Sequence, residues 1–243
     1  MRMLTFAGRN TKEILRDPLN LCFGLGFPLV LILLLSAIQA NVPVALFEIQ
    51  HLTPGVTVFG LSFMTLFSAT LIAKDRGSSL LRRLYTTPLT AVDFILGYTL
   101  PILPIAVVQS VVCYVAAVAL GLPLTVGMVY AVVGILPVSL LYIGLGLLCG
   151  SVLTDKQAGG VCGALLTNVS AWLSGVWFDL DLVGGAFKKI AYALPFAHAV
   201  DMERALLLGD FAAALPHLWW VLGYAAVTLV LAVMLFLRQM KRQ

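Results

Sequence analysis

The chain has 243 residues and a formal net charge of +4; 61% of the residues are hydrophobic, only 11% are charged, and the mean hydropathy is +1.03. A water-facing globular protein of this length needs far more surface charge, so the composition excludes a soluble domain and is typical of an integral membrane protein. The four cysteines lie in apolar segments without metal-ligand spacing, and we interpret them as small packing residues.

Residues 1–17 form a basic amphipathic segment that predicts an interfacial helix along the cytoplasmic membrane surface. Asp17-Pro18 ends it, because the residue before a proline disfavours the α region. A signal peptide does not fit the long charged start, whereas a solvated tail stays open as an alternative. The polar face carries Arg9, Lys12, Glu13 and Arg16. The opposite face carries Leu4, Ala7, Thr11, Ile14 and Leu15.

Charge-free intervals predict six transmembrane spans, because a charge at the bilayer centre costs about 2.5–3.5 kcal/mol and about 20 residues cross the hydrocarbon core. The interval 94–154 is long enough for two spans and contains the turn signal Gly121-Leu122-Pro123. Each of the other four intervals holds one span. These intervals are 18–47, 49–73, 157–178 and 211–237.

Lysine and arginine set the orientation of this topology. Twelve of the fifteen fall on one side, and only Lys188, Lys189 and Arg204 fall on the other. The positive-inside rule therefore predicts that both termini lie in the cytoplasm, together with the charged segment 74–91 that follows span 2.

Within segment 74–91, residues 78–85 predict two turns of helix with a stripe of leucines and with Arg82 and Arg83 on the other side. Such a helix either docks into a groove on a soluble partner or is a solvated anchor on lipid headgroups. The residues alone favour neither.

Spans 3 and 4 contain features that bear on helix packing. Pro101, Pro104 and Pro137 predict kinks. Gly146-x-x-x-Gly150 permits close helix contact.

The outer segment 179–216 holds an apolar run, Ile190–Val200, that is too short for a seventh span. It predicts a re-entrant structure broken at Pro195, with its backbone sheltered by protein. Nearby charged residues either pair among themselves or line an exit route for a substrate. The candidate residues of this outer segment are Pro195, His198, Asp201, Glu203 and Arg204.

The sequence contains no phosphate-binding G-x-x-x-x-G-K-[ST] loop, no H-E-x-x-H motif and no ionisable relay within the predicted spans. We therefore predict a chain without catalytic, metal or cofactor sites of its own and without a role in nucleic-acid binding. A proton-coupled transporter fits poorly for the same reason.

Three stretches resemble the ABC type-2 permease family, the membrane subunits of ATP-driven exporters. AKDRGSSLLRRLYTTPL at 73–89 resembles the family's E-R-x-x-G-T-L-E-x-L-x-x-T-P run after span 2, although Lys74 and Arg82 stand where family members often have acidic residues. LSGVWF at 173–178 resembles the end of the family's span 5. ALPFAHAVDMERALLLG at 193–209 resembles its outer P-x-x-x-A-x-x-x-x-R-x-L-x-x-G segment.

The resemblance implies an all-α membrane fold with six spans, an N-terminal interfacial helix, and re-entrant outer helices between spans 5 and 6. It also implies two ATPase subunits that bind ATP and Mg²⁺, a second identical or different permease chain, and a cell-membrane location. Segment 74–91 becomes the coupling loop seated in the ATPase. The implied contacts are Arg76, Leu80, Leu81, Arg82, Arg83, Leu84, Tyr85, Thr86 and Pro88.

This leads to the expectation of a permease subunit that moves a hydrophobic or amphipathic substrate. The alternative from another class is a membrane scaffold that does not transport, and a proton-coupled transporter comes third. The two leading hypotheses differ in one property of the coupling loop. Only an exporter should lose association with an ATPase when residues 80–85 are scrambled at constant charge.

Overall fold

A computed structural model describes residues 2–42, 44–78 and 90–240, and every regular element among them is helical. The expected all-α class is therefore confirmed. The α-helices are α1 (Arg2–Leu15), α2 (Pro18–Leu21), α3 (Phe27–Asn41), α4 (Ile49–Gly60), α5 (Ser62–Gly77), α6 (Ala91–Ala119), α7 (Val126–Val152), α8 (Asp155–Gly160), α9 (Thr167–Leu173), α10 (Leu180–Val183), α11 (Gly185–Ala193), α12 (Pro195–Leu208) and α13 (Phe211–Met240).

Five helical segments in the described part of the chain are long and apolar enough to cross a membrane. They agree with predicted spans 1, 2, 3, 4 and 6, and the predicted turn at Gly121 does separate α6 from α7. The five segments are Pro18–Asn41, Ile49–Gly77, Val92–Ala119, Val126–Val152 and Phe211–Arg238.

The sixth predicted span is not among these five. The region 155–173 is helical, but it consists of α8, a π-helical stretch at Val161–Leu166, and α9. Polar residues such as Gln157 and Asn168 lower its hydropathy. The count of six spans therefore stays a prediction.

Helix α1 is confirmed, and it ends one residue before Arg16. Asp17 caps α2, because its carboxylate accepts a hydrogen bond from the backbone N–H of Asn20 at 3.2 Å. The predicted apolar face of α1 is only partly right. Ile14 is buried, but Leu4 and Leu15 are exposed, and Asn10 occupies the centre of the buried face instead.

Helices α5 and α7 form the centre of the protein. A Cβ atom added to Gly146 would lie 1.8 Å from Ser68 Oγ, and one added to Gly150 would lie 2.5 Å from the carbonyl oxygen of Ala69. The side chain of Thr65 crosses the same interface and donates to the carbonyl of Tyr142 at 2.9 Å. The close contact expected from Gly146-x-x-x-Gly150 is thus present, and it joins spans 2 and 4.

On the other side of the protein, α10, α11 and α12 form a compact group between α9 and α13. The predicted break at Pro195 is confirmed, since α11 ends at Ala193 and Pro195 opens α12. Gly209 ends α12 in the left-handed conformation at φ +76°, which glycine adopts without the penalty that a Cβ imposes. The turn leads directly into α13.

Candidate functional site

The C-terminal end of α5 is held by a buried carboxylate. Asp75 is 3% exposed, and its Oδ2 atom accepts hydrogen bonds from Arg9 Nη1 at 2.6 Å and from the Tyr98 hydroxyl at 2.7 Å. Charge-assisted hydrogen bonds of this kind are about twice as strong as neutral ones. Asp75 therefore joins the interfacial helix α1, span 2 and the start of span 3 at one point.

A second contact fixes α1 against α6 beside this carboxylate. Asn10 Nδ2 donates to the backbone carbonyl of Gly97 at 3.0 Å, and Arg9 Nη1 also donates to Asn10 Oδ1 at 2.8 Å. A Cβ on residue 97 would lie 2.2 Å from the Phe6 ring. Glycine at this position therefore lets α1 approach span 3 closely.

Arg76 connects α5 to the end of span 4. Its guanidinium donates to the carbonyls of Ser151, Val152 (3.2 Å) and Leu153 (2.5 Å). These groups lie at the C-terminus of α7, where carbonyls lack helical partners and the helix dipole favours a cation. Of the predicted coupling residues, Arg76 is thus placed at the membrane end of the loop, in contact with span 4.

The remaining predicted coupling residues lie outside the described part of the chain, within 79–89. They are Leu80, Leu81, Arg82, Arg83, Leu84, Tyr85, Thr86 and Pro88. Immediately after them, Thr90 and Asp93 form a capping box that starts α6. In it, the Asp93 carboxylate accepts from the Thr90 backbone N–H at 3.0 Å.

The outer helices bring together His198, one of the predicted residues, and His217 of α13. Their Nδ1 atoms are 2.7 Å apart, and His198 Nε2 lies 2.9 Å from the carbonyl oxygen of Tyr192. Because that carbonyl only accepts, His198 Nε2 donates to it, His198 Nδ1 accepts, and His217 Nδ1 donates. The His198 ring also stacks on Trp220 at 4.8 Å. Burial and, after it, the neighbouring His217 lower the pKa of His198, which favours a neutral His198 ring.

Arg204 ties α12 to two other parts of the outer surface. Its Nη2 donates to the carbonyl of Gly175 at 3.1 Å, and its Nε donates to the carbonyl of His51 at 3.3 Å. Its Nη1 lies 3.6 Å from the Asp201 carboxylate, which also accepts from the Tyr192 hydroxyl at 2.9 Å. Arg204 thus fixes the beginning of α4 and the end of α9 relative to α12.

Glu203 does not belong to this ion pair. It is completely buried, and neither carboxyl oxygen has a hydrogen-bond partner among the described residues. At 100° per residue, Asp201 and Arg204 share one face of α12, and Glu203 projects from the opposite one. Of the two alternatives for these charges, pairing is present for Asp201 and Arg204, whereas Glu203 has no partner among the described residues.

The profile of the ABC-2 type transporter family matches residues 2–208. The chain belongs to this family. It is therefore a membrane transport domain of an ABC transporter and not a catalytic one. The comparison with curated proteins gave no matching relative.

In this ABC-2 permease, the match includes both the C-terminal end of α5 and helices α10 to α12, up to Leu208. No three His, Cys, Asp or Glu side chains are grouped to hold a metal ion in the described ranges. What the permease presents there is a set of interhelical polar contacts, which position helices relative to one another.

Two functional features of the permease were missed by the sequence reasoning. One is the Arg9–Asp75–Tyr98 contact, whose only signal is a single acidic residue within a basic segment at the end of an apolar run. The other is His217, which lies 19 positions from its partner His198. No local pattern predicts either pairing, because each depends on which helices become neighbours.

Proposed function

We propose that this chain is the permease subunit of an ATP-driven exporter, coupled through segment 74–91 to a separate ATPase subunit that binds ATP and Mg²⁺. The contacts of Asp75 and Arg76 carry the proposal, together with family membership. The last helical turn of α5 is bonded to α1, α6 and α7, and residues 79–89 connect it in sequence to the capped start of α6. A force on this segment would therefore act on α5 and, through these hydrogen bonds, on α1, α6 and α7.

The proposed topology has six spans, with 157–178 as the fifth, re-entrant outer helices, and both termini in the cytoplasm of the cell membrane. Counting lysines and arginines supports the orientation. The proposed fifth span combines α8, the π-helical stretch at Val161–Leu166 and α9. Just beyond it, the carbonyl of Gly175 accepts a hydrogen bond from Arg204.

We also propose that two permease chains assemble with two ATPase subunits. Span 1 is mostly exposed, and α9 exposes Asn168 in the middle of the proposed fifth span. An amide facing lipid is costly, so a second chain packed on this surface supplies a better environment. Movement of spans 1, 2 and 5 in the two copies would open the path for a hydrophobic or amphipathic substrate.

The test is purification of the tagged chain from its native membranes. We expect a stoichiometric soluble protein with a G-x-x-x-x-G-K-[ST] loop and vanadate-sensitive ATP hydrolysis. Replacing Arg82 and Arg83 by alanine should abolish this association. The matched control replaces Lys188 and Lys189, an adjacent basic pair on the proposed outer side, and should leave it unchanged. A chain that purifies without any ATPase, or equal loss in both double variants, would contradict the coupling role.

A further inference from the structure

The buried carboxyl of Glu203 is not used by any contact described above. Glu203 is 0% exposed and has no hydrogen-bond partner for either oxygen within the described ranges. An ionised carboxylate in such a place is very unfavourable unless a cation accompanies it. Burial accordingly raises the pKa of Glu203 well above its usual value, so the group is neutral while it is unpaired.

An apolar groove lies directly beside this carboxyl, between α7, α12 and α13, with a volume of about 510 Å³. Its floor includes Gly134, where an added Cβ would lie 2.4 Å from Leu206 Cδ1 and 2.8 Å from Glu203 Oε1. Leu206 lines the groove as well. The carboxyl and the leucine therefore both approach the bare backbone of Gly134. Leu206 lines the groove and Glu203 does not, so a ligand in the groove would reach the acid only after a local side-chain movement.

Among the described residues, none pairs with the Glu203 carboxyl. Tyr114 of α6 faces it within electrostatic range, and its hydroxyl is also buried without a hydrogen-bond partner in the described part of the chain. His198 and Arg204 lie on the opposite face of α12 and have other partners. The histidines of the neighbouring helices also have other partners. On α13, His217 is hydrogen-bonded to His198, and on α4 the backbone carbonyl of His51 accepts from Arg204.

We propose that the groove binds an amphiphilic organic cation, whose apolar body fills the groove and whose charge pairs with the Glu203 carboxylate after Leu206 turns aside. A volume of this size suits a drug-sized ligand, and the single acidic group selects a cation over a neutral or anionic molecule. On binding, neutral Glu203 gives its proton to water, and no covalent bond to the ligand forms. The claim that such a cation is the exported substrate rests on the proposed function. The claim that the groove binds such a cation does not.

The full chain in phosphatidylcholine nanodiscs provides the test, with tetraphenylphosphonium as a permanently charged probe. Titration calorimetry in two buffers of different ionisation enthalpy should show release of one proton per cation bound. The affinity should rise with pH, because the bound state has one proton fewer. This measurement needs no variant. No proton release, or an affinity independent of pH, would overturn the proposal.

Two variants test whether Glu203 is the group that binds the cation. Glu203→Gln keeps the shape of the side chain and should weaken binding at pH 8 at least tenfold and remove its pH dependence. The matched control is Asp210→Asn, an exposed carboxyl next to Phe211 of the groove, which should change neither. Equal binding by Glu203→Gln and the unaltered chain would refute the site. Retained ATPase association in the Arg82 and Arg83 variant, together with retained cation binding, would contradict the coupling role and leave this inference intact.

Discussion

The contact between Arg9 and Asp75 leads to a quantitative prediction about the C-terminal end of α5. We consider Arg9→Gln and Asp75→Asn, separately and together, in a double-mutant cycle. Asparagine keeps an oxygen that can still accept from Tyr98, so the cycle isolates the charged contact with Arg9. The measured quantity is the free energy of unfolding of the purified chain in detergent micelles.

The structure sets the expected size of the coupling. The atoms Arg9 Nη1 and Asp75 Oδ2 are 2.6 Å apart, and the side chains are 37% and 4% exposed, respectively. Hydrogen bonds to charged groups contribute about 1.5–3 kcal/mol. Because the Arg9 side chain is more than one third exposed, solvent screening lowers this contribution, and we expect a coupling energy of about 1–2 kcal/mol. Since 1 kcal/mol shifts the Tm of a chain of this size by about 2–4 °C, thermal unfolding resolves the effect.

Arg9 also provides the control for this cycle. Its Nη2 lies 4.0 Å from Glu13 Oε2 in a more exposed contact one helical turn away. A second cycle with Arg9→Gln and Glu13→Gln should give a coupling energy of at most about 0.5 kcal/mol. If the coupling to Asp75 is no larger than the coupling to Glu13, the argument that Asp75 holds α1 against span 2 is refuted.

Three further predictions concern other parts of the fold. Gly146→Ala should lower the free energy of unfolding by about 1–3 kcal/mol through overpacking against Ser68. The control Gly159→Ala, where an added Cβ meets nothing within 4 Å, should not lower it. Similar losses of stability in the two variants would disprove the tight contact at Gly146. Because burial lowers the pKa of His198 in the folded protein, the unfolded chain binds more protons below about pH 6.5. The Tm should therefore fall between pH 7 and 5 more steeply than in His198→Gln; parallel curves would contradict the buried neutral ring. Arg204→Lys cannot keep both carbonyl contacts and should destabilise the chain by about 1–2 kcal/mol, measured by thermal unfolding; an unchanged Tm would show that these contacts contribute little.

The long apolar helices could be predicted from the sequence because one physical rule dominates them. A charge in the hydrocarbon core costs more than most other local preferences, so the charge-free intervals mark the helices at 18–41, 49–77, 91–119, 126–152 and 211–240 closely. The region 157–178 is harder. Its glycines and its amide side chains reduce hydropathy, and the structure there alternates between α-helical and π-helical turns.

Side-chain partners were less predictable, for reasons that differ between sites. The partner of Asp75 is Arg9, 66 positions away, and nothing local selects it among the basic residues of the cytoplasmic side. The sequence could have predicted that Glu203 projects away from Asp201 and Arg204, since helical geometry alone puts position 203 on another face of α12. Whether that face meets water, lipid or protein depends on the packing of α12 against α7 at Gly134.

These contacts also suggest how a movement at the cytoplasmic loop could reach the outer groove. The end of α5 is bonded to α7 through Arg76, and along its length α5 meets α7 at backbone distance at Gly146 and Gly150. Close-packed contacts without intervening side chains leave little room for one helix to slide past the other, so we expect α5 and α7 to move together. The same helix α7 carries Gly134, on which the Glu203 carboxyl and Leu206 rest. A displacement of α7 relative to α12 would therefore change a surface that covers the carboxyl. The paired helices α5 and α7 would in this way connect the proposed ATPase contact to the proposed cation site.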